Sequence, residues 1–101
     1  MANVITMVSA RIPAARVPDL TGAFSEAVRA GLPGQRRQTF LLRGEGDLWR
    51  IVTVWRSRED FDAYLASVDE PFARRLLRDA GGTPEADVFD VIVDSNAPWW
   101  P

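Results

Sequence analysis

The segment Leu48 to Arg56, Leu-Trp-Arg-Ile-Val-Thr-Val-Trp-Arg, constrains the fold more than any other part of this chain. Its β-branched and aromatic residues read as a strand. Side chains alternate across a strand, so Trp49, Ile51, Thr53 and Trp55 share one face and Leu48, Arg50, Val52 and Val54 share the other. Both faces are largely apolar. A strand wetted on one side alternates apolar with polar residues, and this one does not. Each side of the sheet that holds it therefore needs a cover. At 101 residues the chain has material for a single domain with a thin core.

The flanking segments supply one cover. Val4 to Ile12 is a β-branched run stopped by Pro13 and reads as the first strand. From Arg16 to Gly31 a helix is expected, because Val17, Leu20, Phe24, Val28 and Leu32 recur at helical spacing along one stripe. Pro18 suits its first turn, and Gly31 with Pro33-Gly34 supplies the stop. Gln35 to Arg43 is the second strand, and Gly44-Glu45-Gly46-Asp47 turns it into Leu48 to Arg56. Ser57, with Asp60 behind it, makes a capping-box-like start for a helix presenting Phe61, Tyr64, Leu65 and Val68. Asp69 can cap a short helix carrying Phe72, Leu76 and Leu77, which Gly81-Gly82 and Pro84 end. Asp87 to Val93 reads as the fourth strand.

The order β-α-β-β-α-α-β predicts an α+β, ferredoxin-like split βαβ sheet with its helices on one face. The other face is left bare. A second copy laid sheet against sheet is the simplest cover for it. The expected organisation is one domain over residues 1–94 and a Trp-rich tail over 95–101 that carries Trp99 and Trp100.

Composition narrows the chemistry. The chain has no Cys and no His, which removes thiol nucleophiles, thiolate metal sites, His-dependent triads and His-ligated haem. No carboxylate cluster has the spacing of a calcium loop, so no metal is expected. The net charge is −2, and the twelve basic residues, all Arg, form no overall basic footprint for nucleic acid. No apolar run approaches the ~20 residues that span a bilayer. Met1-Ala2-Asn3 lacks the basic start of a signal peptide, so a cytoplasmic location is expected.

Three stretches carry a family resemblance: Leu32-Pro33-Gly34, the strand Phe40-Leu41-Leu42-Arg43, and Thr53-Val54-Trp55-Arg56-Ser57-Arg58-Glu59-Asp60-Phe61-Asp62-Ala63-Tyr64. Together they resemble the antibiotic-biosynthesis monooxygenase family, over about Val4 to Val93. The resemblance implies a dimeric α+β barrel, in which two ferredoxin-like sheets pack face to face as a homodimer. It also implies a pocket in each protomer between helices and sheet. In the family's aromatic-polyketide branch, a phenol or anthrone is oxidised to a quinone by molecular oxygen without a cofactor. Such chemistry asks for a dry aromatic-lined cavity, a hydrogen-bond donor for the developing oxyanion, and a proton acceptor.

Position by position, Trp55 falls at the family's pocket Trp. A later Arg of the aromatic-polyketide branch falls at Arg75, or at Arg74 if the match slips by one. Ile51 and Phe61 stand where that branch has Asn and Tyr. Ala10 and Leu65 stand where the haem-degrading branch has Asn and its His ligand, so haem degradation is not expected. On this reading Trp55, Tyr64 and Arg75 are the candidate catalytic residues, with Arg75 donating to an oxyanion. Trp49, Thr53, Phe61, Phe72 and Leu65 are the candidate pocket lining for a hydrophobic aromatic small molecule. The same residues admit a polyketide cyclase of this superfamily or a non-catalytic binding module. Arg50, among apolar neighbours, is expected to pair with Asp90 across the dimer interface.

Overall fold

A computed structural model describes residues 3–95, and the Trp99-Trp100 tail lies outside them. The chain runs β1 (Val4–Arg11), α1 (Val17–Ala30), β2 (Arg36–Arg43), β3 (Leu48–Trp55), α2 (Arg58–Ser67), α3 (Phe72–Asp79) and β4 (Glu85–Asp90), with a 3₁₀ turn at Ala14–Arg16. The strands form one antiparallel sheet in the order β2-β3-β1-β4. This is the α+β, ferredoxin-like topology that the element order predicts.

Local chemistry accounts for the element ends. Pro18 occupies the first turn of α1, where its missing N–H costs nothing, and Gly31 ends the helix at φ +91°. Ser57 Oγ accepts the N–H of Asp60 at 3.1 Å and caps α2. Pro71, not Asp69, holds the N-cap position of α3, while Glu70 ion-pairs with Arg78 in the last turn of that helix.

Two further expectations are corrected. β4 spans Glu85–Asp90 rather than Asp87 to Val93, because its ladder partners on β1 run only from Ser9 back to Val4. Beyond that ladder Ile92 and Val93 are almost fully exposed. Val28 leaves the α1 stripe and is half-exposed, and Ala27 packs on the core in its place. Repeated steps of four residues drift around a helix of 3.6 residues per turn, so the stripe rotates off the core.

Helices cover one sheet face and build two apolar clusters there. The larger joins Val8, Ala10, Ile12, Trp49 and Ile51 to Leu20, Phe72 and Leu77. The smaller joins Val4 and Trp55 to Phe61 and Tyr64. Between them in the ladder lies the cross-strand pair Thr6 and Thr53, flanked by Val4–Trp55 on one side and Val8–Ile51 on the other. That polar pair marks the seam between the clusters.

The opposite face carries Ile5, Met7, Phe40, Leu42, Val52, Val54 and Phe89 by strand parity. No element among the described residues covers it, and Leu42 and Phe89 are 45% and 51% exposed.

Candidate active site

A cavity of about 260 Å³ lies over the Thr6–Thr53 seam, roofed by α2 and α3. Trp55, Phe61, Tyr64, Phe72 and Leu65 supply its apolar wall, and Ala86 and Val88 of the edge strand β4 border it. Its formation follows from the sequence on each element. The last inward residue of β3 is Trp55, whose ring meets Phe61 at 5.4 Å and Tyr64 at 5.0 Å between centroids. Both partners project from α2 one turn apart and are buried. Gly34, at φ +91°, brings the loop before β2 against the same rings. A Cβ there would stand 3.0 Å from Trp55 and 3.2 Å from Tyr64.

Most polar groups of the site are committed to one another. The indole N–H of Trp55 donates to Thr6 Oγ1 at 3.0 Å. Thr53 and Thr39 share a hydroxyl contact at 3.3 Å. The Tyr64 hydroxyl accepts the Phe72 N–H at 2.8 Å, tying α2 to the start of α3. Trp55 therefore stands in the cavity as a hydrogen-bonded aromatic wall, with its donor already engaged.

Two cations line the cavity, Arg36 and Arg74. Arg36 was not among the residues singled out from sequence. Its guanidinium carbon sits 4.5 Å over the Trp55 ring and 5.2 Å from the centre of the Tyr64 ring. Burial lowers its pKa from the ordinary arginine value, and the neighbouring Tyr64 offsets part of that. It still carries its charge at neutral pH. A β-bulge places it there: Arg36 pairs with Trp55 while Gln38 pairs with Val54, so Arg37 is the extra residue.

The cavity thus brings together Trp55, Tyr64, Thr53, Phe61, Phe72 and Leu65 from the sequence reading. It does not include Trp49, which lies in the larger cluster with Arg43 over its ring at 5.6 Å. Nor does it include Arg75. That residue borders a separate shallow cleft with Leu32, Pro33 and Glu70, while its neighbour Arg74 lines the cavity. One residue on a helix is a rotation of about 100°, which carries a side chain from one side to another.

Arg50 and Asp90 also part company. Arg50 donates to Ser9 Oγ at 2.7 Å on the bare face. Asp90 pairs with Val4 in the ladder, which sets it on the helical face, where it lies 3.8 Å from Arg58. A contact between Arg50 and Asp90 across the bare face is excluded by that parity.

Fold and cavity together define a small α+β protein with an aromatic-walled hollow between its helices and one face of a four-stranded sheet. The family model for antibiotic biosynthesis monooxygenase matches residues 3–73, and the chain belongs to that family. Among solved structures, SnoaB from Streptomyces nogalater, a cofactor-independent oxygenase, is 19% identical with a TM-score of 0.68; the match covers 96% of this chain and 100% of that one. The heme-degrader MhuD from Mycobacterium tuberculosis is 23% identical with a TM-score of 0.64, covering 90% of this chain and 97% of that one. A protein of unknown function from Nitrosomonas europaea is 12% identical with a TM-score of 0.69, covering 93% of each chain. At these identities the likeness is one of fold. A search of curated proteins returned no match.

Proposed function

We propose that this protein is a cofactor-independent monooxygenase that converts an aromatic polyketide of the phenol or anthrone type to a quinone. The observation that carries this reading is the Arg36 guanidinium laid against Trp55 and Tyr64 in the wall of an otherwise apolar cavity. Family membership and a chain without His or Cys agree with it.

The reaction asks little of the protein. Loss of a proton to water, from the anthrone methylene or the phenol hydroxyl before the ring is enclosed, gives an anion whose charge rests largely on oxygen. It passes an electron to molecular oxygen, the two radicals combine, and the resulting peroxide loses water. For an anthrone the balance is one methylene and one dioxygen to one carbonyl and one water. The apolar wall excludes bulk water, which strengthens every charge interaction inside. Arg36 and Arg74 line the space where the oxyanion develops. A cavity of about 150 Å³ encloses a single benzene ring. At about 260 Å³ this one encloses part of a fused ring system, with the remainder at the β4 border.

We infer that the working form is a homodimer closed through the bare sheet face. The support is the row Ile5, Met7, Phe40, Leu42, Val52, Val54 and Phe89, an apolar face that no helix covers among the described residues and on which Leu42 and Phe89 are about half-exposed.

An oxygen electrode and an anthrone substrate test the reaction. The expected result is oxygen uptake matched one for one by quinone, well above the buffer rate. Binding of the anthrone with uptake no faster than buffer overturns the oxygenase and leaves a binding module.

A further inference from the structure

The cavity's charge goes beyond what an apolar polycycle needs. Three of the five N–H groups of Arg36 are spent on protein: Nε and Nη2 donate to the Pro33 carbonyl, and Nη1 donates to Thr39 Oγ1 at 3.2 Å. These bonds hold the guanidinium over Trp55 and leave two N–H groups for Tyr64 or a ligand. No carboxylate among the described residues forms an ion pair with Arg36 or with Arg74. The acidic residue in the lining, Asp87, pairs with Met7 in the ladder, and its parity sets its side chain on the opposite sheet face. A half-buried cation without a counter-ion is costly to keep, and a bound anion relieves that cost.

We propose that the cavity recognises its ligand as an anion: an aromatic core, one or two rings of which stack beside Trp55 inside the cavity, carrying an oxyanion, carboxylate or phenolate, against Arg36. Arg36 is thereby the specificity-determining residue, with Arg74 as a second positive charge on the helical side. This deepens the proposed oxygenase reading by naming the charge state in which substrate enters, and it rests on the same cavity being the substrate site. An oxygenase whose substrate arrives already ionised has less need of a strong base in the site.

Calorimetric titration separates this inference from the oxygenase reading, because it needs no turnover. The ligands are 2-naphthoate, 4-nitrophenolate and the neutral isostere 2-naphthamide. At least one anion is expected to bind about ten- to hundredfold tighter than the amide, as suits hydrogen bonds to a charged group. Naphthoate and nitrophenolate distinguish carboxylate from phenolate as the preferred oxyanion. Arg36→Gln is expected to bring anion and amide to similar affinity, and Arg36→Lys to restore part of the preference. Arg29→Gln, which removes an equal charge from the exposed α1 surface outside the cavity lining, is expected to keep it. A thermal melt of each variant checks folding. Equal affinity of anions and amide for the wild-type protein, no binding of any ligand, or an unchanged preference in folded Arg36→Gln would overturn the proposal.

Discussion

The phenolic oxygen of Tyr64 accepts the backbone N–H of Phe72 at 2.8 Å, so one side chain of α2 sets where α3 begins. The same ring packs at 5.0 Å on Trp55 and lies beneath Arg36. Tyr64→Phe keeps the ring and strands a buried amide. The expected cost is about 1–3 kcal/mol. A domain of this size loses about 4–8 °C of melting temperature per kcal/mol, so calorimetry reads the loss directly. A melting temperature within a degree of wild type would show that the bond contributes nothing.

Gly34→Ala tests the close approach of the loop to the aromatic wall. The residue combines φ +91° with a Cβ position 3.0 Å from Trp55. Both strain and contact oppose the substitution, and a destabilisation of about 1–3 kcal/mol is expected. Chemical denaturation measures it. Trp fluorescence of the folded variant is expected to shift as the Trp55 ring moves.

Trp55→Phe separates a wall from a donor. The indole N–H is engaged by Thr6, so no hydrogen bond to substrate is lost with it. The variant loses that internal bond and part of the surface beneath Arg36, about 1–2 kcal/mol of stability. In steady-state kinetics KM for an aromatic substrate is expected to rise while kcat changes little. A collapse of kcat at unchanged KM would assign Trp55 a direct chemical role.

The bare sheet face gives a prediction on assembly. Leu42 and Phe89 are about half-exposed on it, so Leu42→Glu with Phe89→Glu is mild for an isolated protomer. Across a face-to-face interface the same two charges would be buried without partners. Sedimentation is expected to show a dimer for wild type and a protomer for the double variant, with the far-UV spectrum unchanged. A wild-type protomer at micromolar concentration would remove the homodimer from the proposed function.

Much of this architecture is legible along the chain because it depends on neighbours in sequence. The two-sided apolar pattern of β3, the Ser57 cap, the Gly31 stop and the hairpin turn at Gly44–Asp47 each follow from local periodicity or backbone chemistry. The aromatic trio Trp55, Phe61 and Tyr64 is equally visible, since one helical turn after a strand end brings its members together.

What the amino-acid order determined by itself was therefore the set of elements, their succession, and the aromatic wall. Three matters were left to the tertiary structure: the bulge at Arg37 that lays Arg36 on Trp55, the rotation that turns Arg74 rather than Arg75 into the cavity, and the ladder parity that separates Asp90 from Arg50. Each turns on a register or a rotation of a single residue. A shift of one position leaves composition and periodicity almost untouched, yet it carries a side chain to the other face of a strand or to another side of a helix.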